Sequence, residues 1–245
     1  MDLIFEELDF QVTPLGDISL RRRSEPRLNG QVLYEVKLGE EFLMSSLFVE
    51  AEEQLSILGL AALKRAGFES DLDIVVGGLG LGYTAVAALE SSAVQSLLVI
   101  DVMEAVIDWH KRGLLPVGDV LAANPRCQLR QGDFFSIATD KELGFYTHDP
   151  SKLAHAVLLD IDHSPTHWLN QQNSQFYTPS ALQHVYNKLH SGGVFGLWSD
   201  DPHDADFMKL LDSVFDKTES HLVKFPNPYT GGESANTVYL AHKEL

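Results

Sequence analysis

The sequence has few cysteines and few basic residues. Cys127 is the only cysteine among 245 residues, which excludes an internal disulfide and a cysteine-based metal cluster. Lysine and arginine number 18 against 35 aspartates and glutamates, giving a formal net charge of −17 at pH 7. Nucleic acids and anionic membranes attract basic surfaces, so we expect neither as a partner. A cationic small molecule would suit this charge.

Long apolar runs and a basic N-terminal region are also missing. No apolar stretch approaches the ~20 residues that cross a bilayer. The first ten residues, MDLIFEELDF, carry acids where a signal peptide carries basic residues. These absences predict a cytoplasmic protein. Hydrophobic residues make up 44% of the chain, enough for a full globular core.

Strand and helix patterns alternate from residue 72 onwards. Short apolar runs typical of buried strands occupy 72–78, 94–101, 127–133, 155–162 and 193–199. Helix-like spacing fills segments between them, at 82–90, 104–112 and 175–190. This alternation predicts an α/β fold, a doubly wound, mostly parallel Rossmann-like sheet covered by helices on both faces. Two further strands are expected near the C-terminus, at 218–226 and 234–244.

The N-terminal segment has a different pattern. Residues 1–45 predict a small unit of strands and turns, followed by helical spacing over 45–65. We therefore divide the chain into an N-terminal β unit, 1–45, and a Rossmann-like domain, 46–245. A sheet this small buries little alone, so it should pack on the larger domain or on a second subunit.

Three glycines follow the first strand of the α/β pattern. Gly78, Gly80 and Gly82 give the spacing G-x-G-x-G directly before a helix-like segment. Position 83 is Tyr, so the dinucleotide fingerprint G-x-G-x-x-G is not met, and a Gly-Lys-Ser/Thr loop is absent. Glycines allow the backbone to approach a ligand closely. The alternative is a tight turn without a ligand.

Acidic residues end three further strands. Asp101 is placed to accept hydrogen bonds from ribose hydroxyls, or it caps the helix near 104–112. Asp133 accepts from an adenine amino group, or it only caps the next turn. Asp160 and Asp162, with His163, follow the buried run HAVLL. Carboxylates are costly at a buried strand end unless something binds there. A metal is not expected, because this cluster lacks a fourth ligand at informative spacing.

These features occur in an order that resembles the spermidine synthase family of aminopropyltransferases. The similar blocks are GGLGLG, VIDVMEAVIDWHKRGLLP, NPRCQLRQGDFF, LLDIDHSP and FYTPSALQHVYNKLHSGGV, with further likeness at 40–55 and 225–241. The resemblance covers residues 30–245. It implies a class I methyltransferase-like fold and aminopropyl transfer from decarboxylated S-adenosylmethionine to a diamine such as putrescine, releasing methylthioadenosine. By analogy it makes a homodimer plausible.

The resemblance also implies roles for individual residues. Asp101 would hold the ribose and Asp133 the adenine, with Gly78, Gly80 and Gly82 forming the nucleoside loop. Asp160 matches the catalytic aspartate that helps to deprotonate the attacking amine, and Asp162 lies near a second acid of that loop. Carboxylates suit this chemistry because they attract an ammonium, accept its proton and tolerate a sulfonium.

Several positions depart from the family pattern. Gly80 replaces an aspartate that contacts the aminopropyl amine, Phe48-Val49 replaces Tyr followed by Gln or His, and Phe225 replaces an aromatic hydroxyl. Two alternatives therefore stay open. One is a methyltransferase that uses intact S-adenosylmethionine, its carboxylate held by loop amides or by one of Arg21, Arg22 and Arg23. The other is a non-catalytic, nucleoside-binding descendant of the fold.

Overall fold

A computed structural model describes residues 3–245, beginning with a four-stranded antiparallel sheet. Its strands follow chain order: β1 (Phe5–Thr13), β2 (Gly16–Glu25), β3 (Gln31–Leu38) and β4 (Glu41–Ser45). Short connections join them, and Asn29 and Gly30 both adopt positive φ between β2 and β3. The predicted N-terminal β unit is present.

The second sheet has seven strands and carries the α/β part of the chain. They are β5 (Leu72–Gly77), β6 (Val94–Asp101), β7 (Cys127–Gln131), β8 (Ala154–Leu159), β9 (Leu189–Ser199), β10 (Lys217–Asn227) and β11 (Gly232–His242). Their order is β10-β11-β9-β8-β5-β6-β7. The five strands from β9 to β7 are parallel, whereas β11 and β10 form an antiparallel edge. The predicted doubly wound, mostly parallel fold is confirmed.

Helices cover both faces of this sheet. They are α1 (Glu50–Arg65), α2 (Tyr83–Leu89), α3 (Glu104–Lys111), α4 (Gly118–Ala122), α5 (Phe134–Thr139), α6 (Pro179–Asn187) and α7 (Ala205–Asp212). The core on one face includes residues of α1 to α4, and the core on the other includes residues of α5 to α7. Within residues 3–245 no helix is both long and apolar enough to cross a membrane.

The small sheet packs on the α/β unit rather than standing apart. Ile18, Leu20 and Val36 are buried in the same core as Leu55 and Leu158. This is one of the two packing partners expected from sequence. A division into separate domains at residue 45 stays a prediction, because the two sheets share this core. Helix α1 begins at Glu50 and not at 45, since residues up to Ser45 pair with β3.

Candidate active site

A cavity of about 760 Å³ lies at the carboxyl ends of the parallel strands. The small sheet forms one wall and the segment 169–181 forms another. Cavities of this size hold drug-sized ligands. Four residues predicted to bind nucleoside, Gly78, Gly80, Asp101 and Asp133, line it, as does Asp160.

The glycine turn between β5 and α2 is held in place from two sides. Gly78 has φ +95°, and a side chain there would collide with the Asp160 carbonyl, 1.9 Å from a Cβ. Gly80 lines the cavity beside Met44. Gly82 instead packs against Leu121 and His110, outside the large cavity. Sequence placed all three at one nucleoside loop, and the structure brings two of them to the large cavity.

His110 supports this turn from behind. Its Nε2 lies 2.9 Å from the Gly80 carbonyl oxygen. A carbonyl only accepts, so Nε2 carries the proton in this contact. Burial lowers the pKa of His110, which favours the neutral ring. The sequence patterns gave no sign of this role.

Asp101 ends β6 and holds two backbone segments in place beside the cavity. One carboxylate oxygen accepts from the Leu79 amide at 2.8 Å, and the other accepts from the Met103 amide at 2.7 Å. Burial raises the pKa of Asp101. The cap residue of α3 is Met103, so the capping alternative is wrong in its strict form. Each oxygen keeps a second lone pair that a ribose hydroxyl can use.

Asp133 is the N-cap of α5, as one of its two alternatives predicted. Its Oδ1 accepts from the amides of Phe135 and Ser136 at 3.0 and 3.3 Å. The side chain is exposed at the rim of the cavity. Its contact with adenine stays a prediction.

Asp160 follows β8 and lies at the centre of the site. Its amide donates to the Gly77 carbonyl at 2.8 Å, and its Oδ2 accepts from the Thr84 hydroxyl at 2.6 Å. Burial raises the pKa of Asp160 to about 6. No lysine or arginine lines its surroundings in the described chain. The carboxyl group is therefore largely removed from water with no lysine or arginine beside it in either described cavity.

Glu52 on α1 is a second acid at this point, which sequence analysis missed. Burial and the neighbouring Asp160 carboxylate raise the pKa of Glu52 well above its usual value. Glu52 shares a helix face with Ser56, Gly59 and Leu63, all buried, at the spacing i, i+4, i+7 and i+11. A glutamate on a helix face whose other residues are small or apolar is the sequence signal that could have identified Glu52.

A second, smaller cavity of about 80 Å³ adjoins the first. Both are lined by Asp160, Gly80 and Met44. The smaller one is also lined by Glu52, Tyr83, His163 and Trp198. Trp198 Nε1 is buried and has no hydrogen-bond partner among residues 3–245. We call this space the side chamber.

Asp162 has a different position from the one sequence suggested. It is 3% exposed and lines neither cavity. Its carboxylate accepts from the Leu169 amide at 2.9 Å, from Asn173 Nδ2 at 2.7 Å and from the Tyr177 hydroxyl at 2.9 Å. These bonds tie down the segment that walls the large cavity. In this arrangement Asp162 holds a loop, and a direct role in catalysis stays a prediction.

The other residues singled out from sequence lie outside both cavities. Arg21, Arg22 and Arg23 form ion pairs with Glu35, Glu6 and Glu25. Phe48 packs on Phe225 and Tyr229, with ring centroids 5.4 and 6.3 Å apart. Over residues 3–245 no group of three acids, histidines or cysteines is arranged to hold a metal ion.

The two sheets and their flanking helices form a class I methyltransferase-like α/β fold. No protein-family model matches the sequence, and no curated protein matches it either. Among solved structures, human methyltransferase-like protein 13 in complex with SAH superposes with a TM-score of 0.58 at 17% identity, covering 79% of this chain and 82% of that one.

Likeness to spermidine synthases is more extensive, since it includes the N-terminal sheet. The spermidine synthase of Thermotoga maritima gives a TM-score of 0.67 at 16% identity, covering 97% of this chain and 72% of that one. A spermidine synthase in complex with the transition-state analogue AdoDATO gives 0.69 at 18% identity, covering 97% and 73%. The chain thus has a divergent spermidine synthase-like fold, as the sequence resemblance implied.

Proposed function

We propose that this protein transfers the aminopropyl group of decarboxylated S-adenosylmethionine to an amine and releases methylthioadenosine. The observation that carries the proposal is the pair of largely buried acids Glu52 and Asp160, which line one chamber whose described lining includes no lysine or arginine. Two such carboxyls are costly unless a cation joins them. An ammonium acceptor next to a sulfonium donor supplies that charge.

The large cavity would hold the nucleoside. Gly78 and Gly80 let the donor approach the backbone, Asp101 accepts from the ribose, and Asp133 accepts from the adenine amino group. Asp133 can cap α5 and still accept this bond, because its carboxylate has lone pairs left over. The sulfonium end then points towards Asp160, which both cavities share.

The acid pair would prepare the acceptor for attack. The ammonium gives a proton to Asp160, directly or through water, and its freed lone pair attacks the methylene carbon beside the sulfonium. A carbon–nitrogen bond forms as the carbon–sulfur bond breaks, and its electron pair stays on sulfur as the thioether of methylthioadenosine. A raised pKa makes Asp160 a better proton acceptor near neutral pH than an ordinary aspartate.

The test is product analysis by mass spectrometry with decarboxylated S-adenosylmethionine and a panel of amines. We expect methylthioadenosine together with an aminopropylated amine. Asp160→Asn and Glu52→Gln should each lower kcat by about 10²-fold or more, as expected for a lost general base, and change nucleoside binding only a few-fold. Glu53→Gln is the matched control, because Glu53 is the next residue of α1 and lines neither cavity. Full activity of Asp160→Asn would end the proposal.

Methyl transfer from intact S-adenosylmethionine is the second candidate. Gly80 favours it, since an acid at that position would oppose the cofactor carboxylate. The acid pair opposes it, because carboxylates repel the carboxylate of the intact cofactor. No lysine or arginine that could hold that carboxylate lines either cavity in the described structure, and Arg21 to Arg23 form ion pairs elsewhere. Incubation with the intact cofactor separates the two by product: a methylated acceptor with S-adenosylhomocysteine, or methylthioadenosine. Nucleoside binding without either product indicates a non-catalytic role.

A further inference from the structure

The side chamber limits what can react at Asp160. Its volume is about 80 Å³, against about 760 Å³ for the nucleoside cavity. At roughly 10–15 Å³ for one water it holds on the order of six small groups. Met44 lines both spaces. Its Sδ lies 3.2 Å from where a Cβ would stand if Gly80 carried a side chain. An acceptor that enters the chamber must therefore be short.

The chamber also contains one pair of interacting acids. Glu52 and Asp160 are the only acids that line it in the described chain, and the pKa of Glu52 responds to Asp160. Asp162, the next acid along the chain, lies outside and already accepts three hydrogen bonds. If Glu52 and Asp160 share the reactive ammonium, a second ammonium on the same molecule would lack an anionic partner in the chamber, which is costly in a buried space.

Trp198 adds a further restriction. Its indole N–H is a donor only, and this buried donor has no partner within residues 3–245. An ammonium is also a donor only, so it cannot satisfy this N–H and can interact with Trp198 only through the face of the ring. A hydroxyl oxygen can accept from Trp198, and an alkyl group can pack on its ring. The indole N–H therefore favours a hydroxyl oxygen over an ammonium as its neighbour.

We propose that the acceptor is a short primary amine whose far end is uncharged, and that Met44 and Trp198 set this limit. The inference rests on the proposed aminopropyl transfer and narrows its acceptor from amines in general to this class. The reactive ammonium would lie at Glu52 and Asp160, and the uncharged end would lie against Trp198.

The first experiment compares acceptors of equal length. Pentylamine, aminobutanol and putrescine match in chain length and differ in the group at the far end. Propylamine and ethanolamine are shorter members of the panel. With the wild-type protein we expect kcat/KM for pentylamine and for aminobutanol to exceed that for putrescine by about 10-fold or more, and heptylamine, which is longer than the roughly six groups that the chamber holds, to fall below pentylamine. Release of methylthioadenosine is the readout.

Two variants test the residues named. Met44→Ala should raise kcat/KM of heptylamine relative to pentylamine by about 10-fold, because one methylene is worth 10-fold or more in a closed pocket. Phe42→Ala is the control on the same strand, since Phe42 is exposed and lines neither cavity. Trp198→Phe keeps a smaller aromatic ring, removes the N–H and should erase the preference for aminobutanol over pentylamine.

The outcomes separate this inference from the proposed function. If putrescine is the preferred acceptor, the transferase stands and the narrower acceptor class is wrong. If Met44→Ala and Phe42→Ala shift the panel equally, Met44 does not set the length limit. If no amine releases methylthioadenosine although the nucleoside binds, the aminopropyl transfer is wrong, and the acceptor class fails with it.

Discussion

Asp160 shows how a single residue can be unfavourable for folding and useful for chemistry. Burial raises its pKa to about 6, compared with 3.8 for the free side chain. Above that range the folded protein holds an ionised carboxylate beside Glu52, and within residues 3–245 no lysine or arginine lines the space around the two acids. The shift corresponds to about 3 kcal/mol of lost stability when the group is ionised.

Removing this charge should stabilise the free protein. A raised pKa means that the folded state keeps its proton longer than the unfolded state, so stability falls as pH rises from about 4 to about 6. We expect Asp160→Asn to exceed wild type in unfolding free energy by about 2–3 kcal/mol above pH 7, and the gap to shrink towards pH 4.5. Urea unfolding at several pH values measures it.

The comparison needs a control for the loss of a negative charge in general. Asp17 lies on β2 and is exposed, so Asp17→Asn should leave the pH dependence of wild type unchanged. A gap between Asp160→Asn and wild type that is constant with pH would show that Asp160 is not the group that titrates.

Individual site residues could be predicted from the sequence only where they directly follow a predicted strand. Asp101, Asp133 and Asp160 end consecutive strands of a parallel sheet, so one edge had to receive them. Glu52 comes from a helix packed on that edge, and the role of Asp162 depends on donors 7 to 15 residues away. Both follow from tertiary packing that strand patterns do not encode.

At the scale of elements, the segment after β8 is held by one buried carboxylate. The three donors to Asp162 come from positions 169, 173 and 177, and Leu169, Asn173 and Phe176 line the nucleoside cavity. Asp162→Ala leaves these donors without an acceptor, which should cost on the order of 3 kcal/mol. It should raise the KM for the nucleoside donor more than it lowers kcat, which steady-state kinetics with saturating amine can separate.

An aspartate in an exposed turn provides the control for Asp162. Asp149 accepts from the Ser151 amide and hydroxyl and lies away from both cavities. Asp149→Ala should change stability and KM little. If Asp162→Ala abolishes kcat while KM and stability stay at wild-type values, Asp162 acts on the substrate directly, as the family resemblance implied.

The elements themselves were largely predictable. Apolar runs gave β5, β6 and β8 within three residues, because buried parallel strands are apolar without interruption. The start of α1 was placed five residues early, since the apolar spacing in residues 45–49 continues that of the helix. Periodicity alone could not separate the end of β4 from the helix after it.

For the whole molecule, the charge of −17 should attract a cationic acceptor to the site from a distance. Such attraction speeds encounter and is screened by salt, with a Debye length of about 30 Å at 10 mM and about 8 Å at 150 mM. We expect kcat/KM for the amine to fall about tenfold between these salt concentrations. The dissociation constant of methylthioadenosine, which is uncharged, should change less than about twofold and serves as the control. An equal change in both quantities would show that salt acts on the fold and not on the encounter with the cation.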